Sequence, residues 1–221
     1  MNVLLLIGSP KVKQSNSETL GDYLLQRLSK NGAATQKIFI RQTLHDAGEM
    51  EKLLSAVDAC DVLIFSFPLY VDSLPAGLIK VLETIAESRQ RLENPPPQTL
   101  LTICNCGFPE AKHNETALAI FKCFAKETNL QWAGGLSLGG GEMLGGKPLS
   151  ALGGMAKNQI KALNMAAEAI TEGKNLPQEA VNFFRKSLIP KWLYLICGSI
   201  GWKYQAMKNG VYRKMREQPY K

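Results

Sequence analysis

Gly8-Ser9-Pro10-Lys11-Val12-Lys13-Gln14-Ser15-Asn16-Ser17 joins two segments of opposite character. Before it, Val3–Ile7 is an uninterrupted apolar run, the pattern of a strand buried on both faces. After it, residues 17–30 alternate apolar and polar side chains with helical spacing. A strand, a loop of Gly, Ser and Asn, and then a helix is the arrangement with which α/β proteins hold an anion. Backbone N–H groups at a helix start lack intrahelical partners, and hydroxyls add further donors. Asn16 and Ser17 also suit a simple N-cap, so the loop alone leaves both readings open.

The pattern repeats outward from this stretch. Apolar runs at Val3–Ile7, Thr35–Ile40, Val62–Phe67, Thr99–Asn105 and Trp132–Leu138 alternate with helical segments near 17–30, 47–57, 76–91, 113–128 and 151–172. This order predicts a three-layer, doubly wound α/β fold with a five-stranded parallel sheet. Ligands of such sheets lie beyond the carboxyl ends of the strands. Turn-forming loops follow four of the strands, at Gly8–Ser17, Pro68–Pro75, Asn105–Pro109 and Gly139–Gly146. Turns use these residues in any case, but four such loops on one edge outline a site. Pro95-Pro96-Pro97 reads as a stiff connector into the fourth strand.

Composition narrows the class. The 221 residues are 45% apolar and 20% charged, ordinary values for a globular chain. Five scattered cysteines do not form a secretory disulfide framework, and the first apolar run stops at Gly8, too soon for a signal peptide or a membrane span. A cytoplasmic location is the expectation. The net charge is +7, yet nine Lys or Arg and a single acid, Glu217, lie from Arg185 onward, so the remainder is nearly neutral. A nucleic-acid-binding body would spread its basic charge more widely, and no nucleic-acid partner is expected.

The first loop lacks both the G-x-x-x-x-G-K-[ST] pattern of a P-loop and the G-x-G-x-x-G of a dinucleotide site. Its neutral donors suit a phosphate monoester. After the third strand, Pro68-Leu69-Tyr70-Val71-Asp72-Ser73-Leu74-Pro75 brings an aromatic side chain to the same edge. A phosphate loop and an aromatic loop together suit a flat mononucleotide. G-S-P-K-x-x-x-S-N-S and P-L-Y-V-D-S-L-P-A-x-x-x-K resemble the flavodoxin-like NAD(P)H-dependent FMN reductase family over residues 1–172.

That resemblance implies strand order 2-1-3-4-5, bound FMN, NAD(P)H as co-substrate and a homodimer. By position, Ser9, Lys11, Ser15, Asn16 and Ser17 would surround the FMN phosphate. Pro68, Leu69, Tyr70, Val71 and Asp72 would line the ring, with Asn105, Cys106, Gly107 and Phe108 closing the third side. Hydride would pass from the nicotinamide through FMN to a quinone, flavin or similar small acceptor. Such hydride chemistry belongs to the flavin, so no catalytic side chain is assigned. The alternative is a non-enzymatic flavodoxin-like electron carrier, although such carriers are usually strongly acidic. Iron–sulfur relatives carry compact cysteine motifs, whereas the close pair here is only Cys104-Asn105-Cys106, so no Fe–S cluster is expected.

Several features admit two readings. Cys104 and Cys106 share a strand face and are packing residues or a redox pair. His45 and His113 have no metal-ligand spacing, and no metal site is expected. The glycine-rich stretch 139–146 is a mobile loop or a lid over the site. The expected division is a flavodoxin-like FMN-binding domain at 1–176 and a basic, aromatic, helical extension at 177–221. That extension either packs on protein or contacts a membrane peripherally, through Trp192, Tyr194 and Trp202.

Overall fold

The computed structural model describes residues 1–218; the last three residues of the expected extension lie outside the described residues. Five parallel strands form one sheet in the order β2-β1-β3-β4-β5. They are β1 (Asn2–Ile7), β2 (Ala34–Phe39), β3 (Val62–Pro68), β4 (Thr99–Asn105) and β5 (Gln131–Leu138). Each expected strand is present within about one residue of its reading. Ile40 is the visible shift: it leaves the second strand and opens a short helix, α2 (Ile40–Thr43).

Side-chain alternation divides the core into two layers. Val3, Leu5 and Ile7 of β1, with Val62 and Ile64 of β3, pack beneath α1 (Asn16–Lys30) and α6 (Lys157–Thr171). Leu4, Leu6, Leu63, Phe65 and Phe67 point the other way, toward α3 (Ala47–Ala59), α4 (Ala76–Gln90) and α5 (Glu115–Glu127). On that side Phe121 of α5 stacks on Phe67, with ring centroids 4.9 Å apart. Burying every strand on both faces explains why the strands read as continuous apolar runs.

The helix expected at 151–172 is shorter. A 3₁₀ segment, Leu149–Ala156, precedes α6, and Gly153 (φ 54°) within that segment interrupts regular helix. Beyond α6, Leu176 donates its backbone N–H to Ala133 of β5 at 2.8 Å. The segment then continues into α7 (Gln178–Phe184), whose Ala180 and Phe184 are buried in the first core. This run lies along the edge of β5 and occupies hydrogen-bonding groups that an exposed edge would offer to another chain.

The chain separates into two compact units, Met1–Leu188 and Ile189–Lys221, so α7 falls with the first rather than with the residues that follow. The described part of the second unit is α8 (Lys191–Lys208) and a 3₁₀ turn at Tyr212–Lys214, with Val211 N–H returning to Ala206 O at 2.9 Å.

Candidate functional site

At the carboxyl edge of the sheet, one cavity of about 250 Å³ collects residues from four loops. Ser9, Lys11, Ser15, Asn16 and Ser17 come from the first, and Pro68, Leu69 and Tyr70 from the loop after β3. Asn105, Cys106 and Gly107 come from the end of β4, and Glu142 from the loop after β5. Eleven of the fourteen residues expected from the sequence thus line a single cavity.

The first loop is shaped by its own side chains. Ser15 is the N-cap of α1, and its hydroxyl accepts the Glu18 N–H at 3.1 Å. That leaves the N–H groups of Asn16 and Ser17 at the helix start without intrahelical partners and at the positive end of the helix dipole. The Ser9 hydroxyl accepts the Lys11 N–H at 3.4 Å, drawing the loop back on itself. Arg41, at the start of α2, donates to the carbonyls of Lys11 (3.2 Å) and Val12 (3.3 Å) while its guanidinium lies over Phe39. Two sheet residues fix the base of the loop. The buried Ser66 hydroxyl donates to Ser17 O at 2.6 Å, and the Asn105 amide donates to Ser17 Oγ at 2.9 Å and to Phe67 O at 3.1 Å.

The loop after β3 is a closed hairpin turn. Tyr70 and Ser73 exchange both backbone hydrogen bonds, each 2.9 Å. The two residues between them, Val71 (φ 48°) and Asp72 (φ 56°), are both left-handed, as a type I′ turn demands. A β-branched residue is strained there. Val71 is 99% exposed at the tip. Tyr70 is therefore held at the cavity wall, whereas Val71 and Asp72 form the tip of the turn and do not line the cavity. Phe108 also lies off the lining, half exposed, its ring tilted at 33° against that of His113 with centroids 4.4 Å apart.

The glycine stretch after β5 is hydrogen-bonded to neighbouring loops at both ends. Gly140 N–H donates to Phe108 O at 2.6 Å and Gly141 N–H to Cys106 O at 2.8 Å. A Cβ at Gly139 would run into the backbone of Pro109 and Ala111, so glycine is what lets these two loops touch. At the far end Gly146 N–H donates to Asn16 Oδ1 at 2.9 Å, and a Cβ there would lie 2.7 Å from Gln14 O. The fourth loop thus braces the first.

Cys104, near the end of β4, and Cys106, just past it, are free, buried thiols. Burial pushes both up from the ordinary thiol range. Cys104 donates to Asn114 Oδ1 at 3.3 Å, and Cys106 faces the carbonyls of Phe108 and Glu110. Protonated, hydrogen-bonded thiols of this kind are poor nucleophiles, which favours the packing reading. Among the described residues no group of three or more His, Cys, Asp or Glu is placed to hold a metal ion.

Arg41 and Glu142 were not singled out from the sequence, and Gly146, within the stretch already noted, was not read as a brace. Glu142 is the one charged residue of Gly139–Gly146, a loop already assigned to the site edge, and that was a usable signal. Arg41 and Gly146 act through contacts between elements far apart in sequence, which no local motif reports.

The sheet order and the helices on both faces define a flavodoxin-like fold. Residues 1–97, which contain both the first loop and the Tyr70 loop, match the family of NADPH-dependent FMN reductases. No curated protein is similar to the chain in sequence at a significant level. Solved structures are similar at low identity. An NAD(P)H:quinone oxidoreductase from Methanothermobacter marburgensis superposes with TM-score 0.59 at 15% identity, covering 77% of this chain and 96% of that one. An NADH:FMN oxidoreductase in its apo form gives TM-score 0.59 at 14% identity, over 86% and 96%. The rubredoxin oxygen:oxidoreductase from Desulfovibrio gigas gives TM-score 0.57 at 11% identity, over 78% of this chain, which spans only 35% of that larger protein.

Proposed function

We propose that the chain is an FMN-dependent NAD(P)H oxidoreductase that passes reducing equivalents to a small acceptor such as a quinone or a flavin. The observation that carries this reading is the convergence of the phosphate loop, Tyr70 and the end of β4 on one cavity. The donor set supports the cofactor. Serine hydroxyls, two free helix-start N–H groups and the Lys11 ammonium suit a phosphate monoester, which needs no metal when so many donors converge. FMN would supply the hydride-accepting and hydride-donating chemistry. Ser9, Lys11, Ser15, Asn16 and Ser17 would hold its phosphate, and Pro68, Leu69, Tyr70 and Asn105–Gly107 would flank the rest.

The size of the cavity bears on the second substrate. At about 250 Å³ it lies below the ~300–1,000 Å³ usual for small-molecule sites, so a ligand as large as FMN would extend past it. Tyr70, 45% exposed, stands at that open side. An open side is what a nicotinamide or a quinone would need in turn. The chain's match to a reductase family over residues 1–97, and its lack of the strong acidity of carriers, support an enzyme over an electron carrier. We extend the reading to a cytoplasmic homodimer on the strength of the resemblance to the reductases.

The test is oxidation of NADH and of NADPH by the FMN-loaded protein, with and without a quinone. Acceptor-dependent oxidation well above that of free FMN is the expected result. A protein that binds FMN yet oxidises neither nucleotide would be a carrier, and the enzymatic reading would fall.

A further inference from the structure

We infer that the second unit is an in-plane membrane anchor that binds an anionic lipid surface. Three observations point to that occupant. First, α8 presents large apolar side chains to solvent. Trp192, Leu195, Ile196, Ile200, Trp202, Tyr204 and Met207 are between 48% and 72% exposed. At 100° per residue all of them fall in one broad sector, with Trp202 and Tyr204 at its two margins. Amphipathic aromatic rings at the margins of an apolar face suit the depth of lipid headgroups.

Second, the charge on this unit is almost entirely of one sign, with Glu217 its single acid. Lys191, Lys203, Lys208, Arg213, Lys214 and Arg216 are exposed, and no acid lies between Lys191 and Arg216. Lys203 sits at the middle of the apolar sector, where its long flexible stem must carry the ammonium out to the headgroups. Third, among the described residues no helix is long and apolar enough to cross a membrane. Gly198, Gly201 and Lys203 interrupt the apolar character of α8, so a helix of this kind lies along an interface rather than through it.

The alternatives fit less well. A second copy docking α8 on α8 would bring two acid-free, basic surfaces together, and like charges on a self-complementary face repel. A nucleic acid would neutralise the lysines and stack on the aromatics, but it offers nothing for Leu195, Ile196 and Ile200. An anionic bilayer satisfies both the apolar sector and the basic groups. Each Lys or Arg near such a surface strengthens partitioning roughly fivefold.

The experiment uses the full chain and sedimentation with vesicles of phosphatidylcholine, alone or with about 30% phosphatidylglycerol, followed by tryptophan emission. The expected result is strong partitioning onto the mixed vesicles only, a blue shift in emission, and release by high salt. Arg213→Gln with Lys214→Gln is expected to lower partitioning about 25-fold. Trp202→Ser is expected to weaken it and to reduce the blue shift, which Trp192 in the same sector continues to report. Unchanged far-UV circular dichroism, beside unchanged thermal melting, shows that the variants keep the fold with α8 helical.

Any of several results would overturn the proposal. These are no sedimentation with anionic vesicles, equal binding to both vesicle types, or self-association in place of lipid binding that Trp202→Ser abolishes. RNA binding without vesicle binding would do the same. Flavin uptake, measured on the same samples, tests the oxidoreductase reading separately, because the anchor does not depend on it.

Discussion

Asn105 sits where the first loop, the loop after β3 and β4 meet. Its amide donates to Ser17 Oγ and Phe67 O, and its carbonyl accepts the Leu69 N–H at 2.8 Å. Truncating the side chain removes both amide hydrogen bonds and takes the donor away from the buried Ser17 hydroxyl, a loss of about 1–3 kcal/mol. Asn105→Ala is therefore expected to destabilise the first unit by about 2 kcal/mol in urea unfolding and to weaken FMN uptake. A variant that takes up FMN as well as the parent would show that this residue does not organise the site. Val71 makes the opposite case. A β-branched residue at φ 48° is held in a conformation that costs about 1–2 kcal/mol, at a tip where it touches almost nothing. Val71→Gly is expected to leave stability unchanged or to raise it by up to about 1 kcal/mol, because relief of strain offsets the added chain entropy. A clear loss of stability would mean that Val71 makes a contact unseen in this conformation.

Among the elements, the edge strand β2 is tied to the site helix by Lys37. Its ammonium reaches Asp22 at 2.9 Å and Glu18 at 3.0 Å on α1. Desolvation pulls its pKa down, but the hydrogen bonds to Asp22 and Glu18 outweigh it, and the net shift is upward from 10.5. A raised pKa means that the folded chain favours the charged form. The contribution is complete below pH 10.5 and is lost as pH rises through the folded-state value. Lys37→Met is expected to cost about 1 kcal/mol in unfolding at neutral pH, with the difference shrinking well above pH 10.5. A pH-independent difference would assign the effect to packing instead.

The same scale shows what the sequence could reveal. The five strands were legible because burial on both faces makes each an apolar run, and loop chemistry marks where it stops. The four-residue α2 was not, since it is too short for a helical period to appear. The break before α6 depends on one left-handed glycine in a stretch that otherwise reads as helix. The first loop was legible because a strand–loop–helix junction has its own chemistry. The brace from Gly146 to Asn16 was not, because it joins residues 130 positions apart.

For the whole molecule, the division after Leu188 has a physical basis. Phe184 and Ala180 are fully buried in the first core, and Gln159 reaches across to the carbonyls of Phe184 and Lys186 at 3.3 and 2.6 Å. A chain ending at Leu188 is expected to melt close to the full-length protein. One ending at residue 176 would lose Phe184 from the core, at a cost of about 3–5 kcal/mol. Thermal melting of the two shortened chains decides this. Equal melting temperatures would place the true boundary at 176.

The function of the first unit turns on whether the four-loop cavity is a flavin mononucleotide site. Titration of the flavin-free protein with FMN, read by absorbance and flavin fluorescence, decides it. Saturable uptake of one FMN per chain is expected, with the bound flavin's spectrum changed and with competition by inorganic phosphate. Ser17→Ala, which removes one donor from the cradle, is expected to weaken this uptake. A protein that leaves the FMN spectrum unchanged at every ratio, with its melting temperature unmoved by FMN, would contradict the flavin assignment.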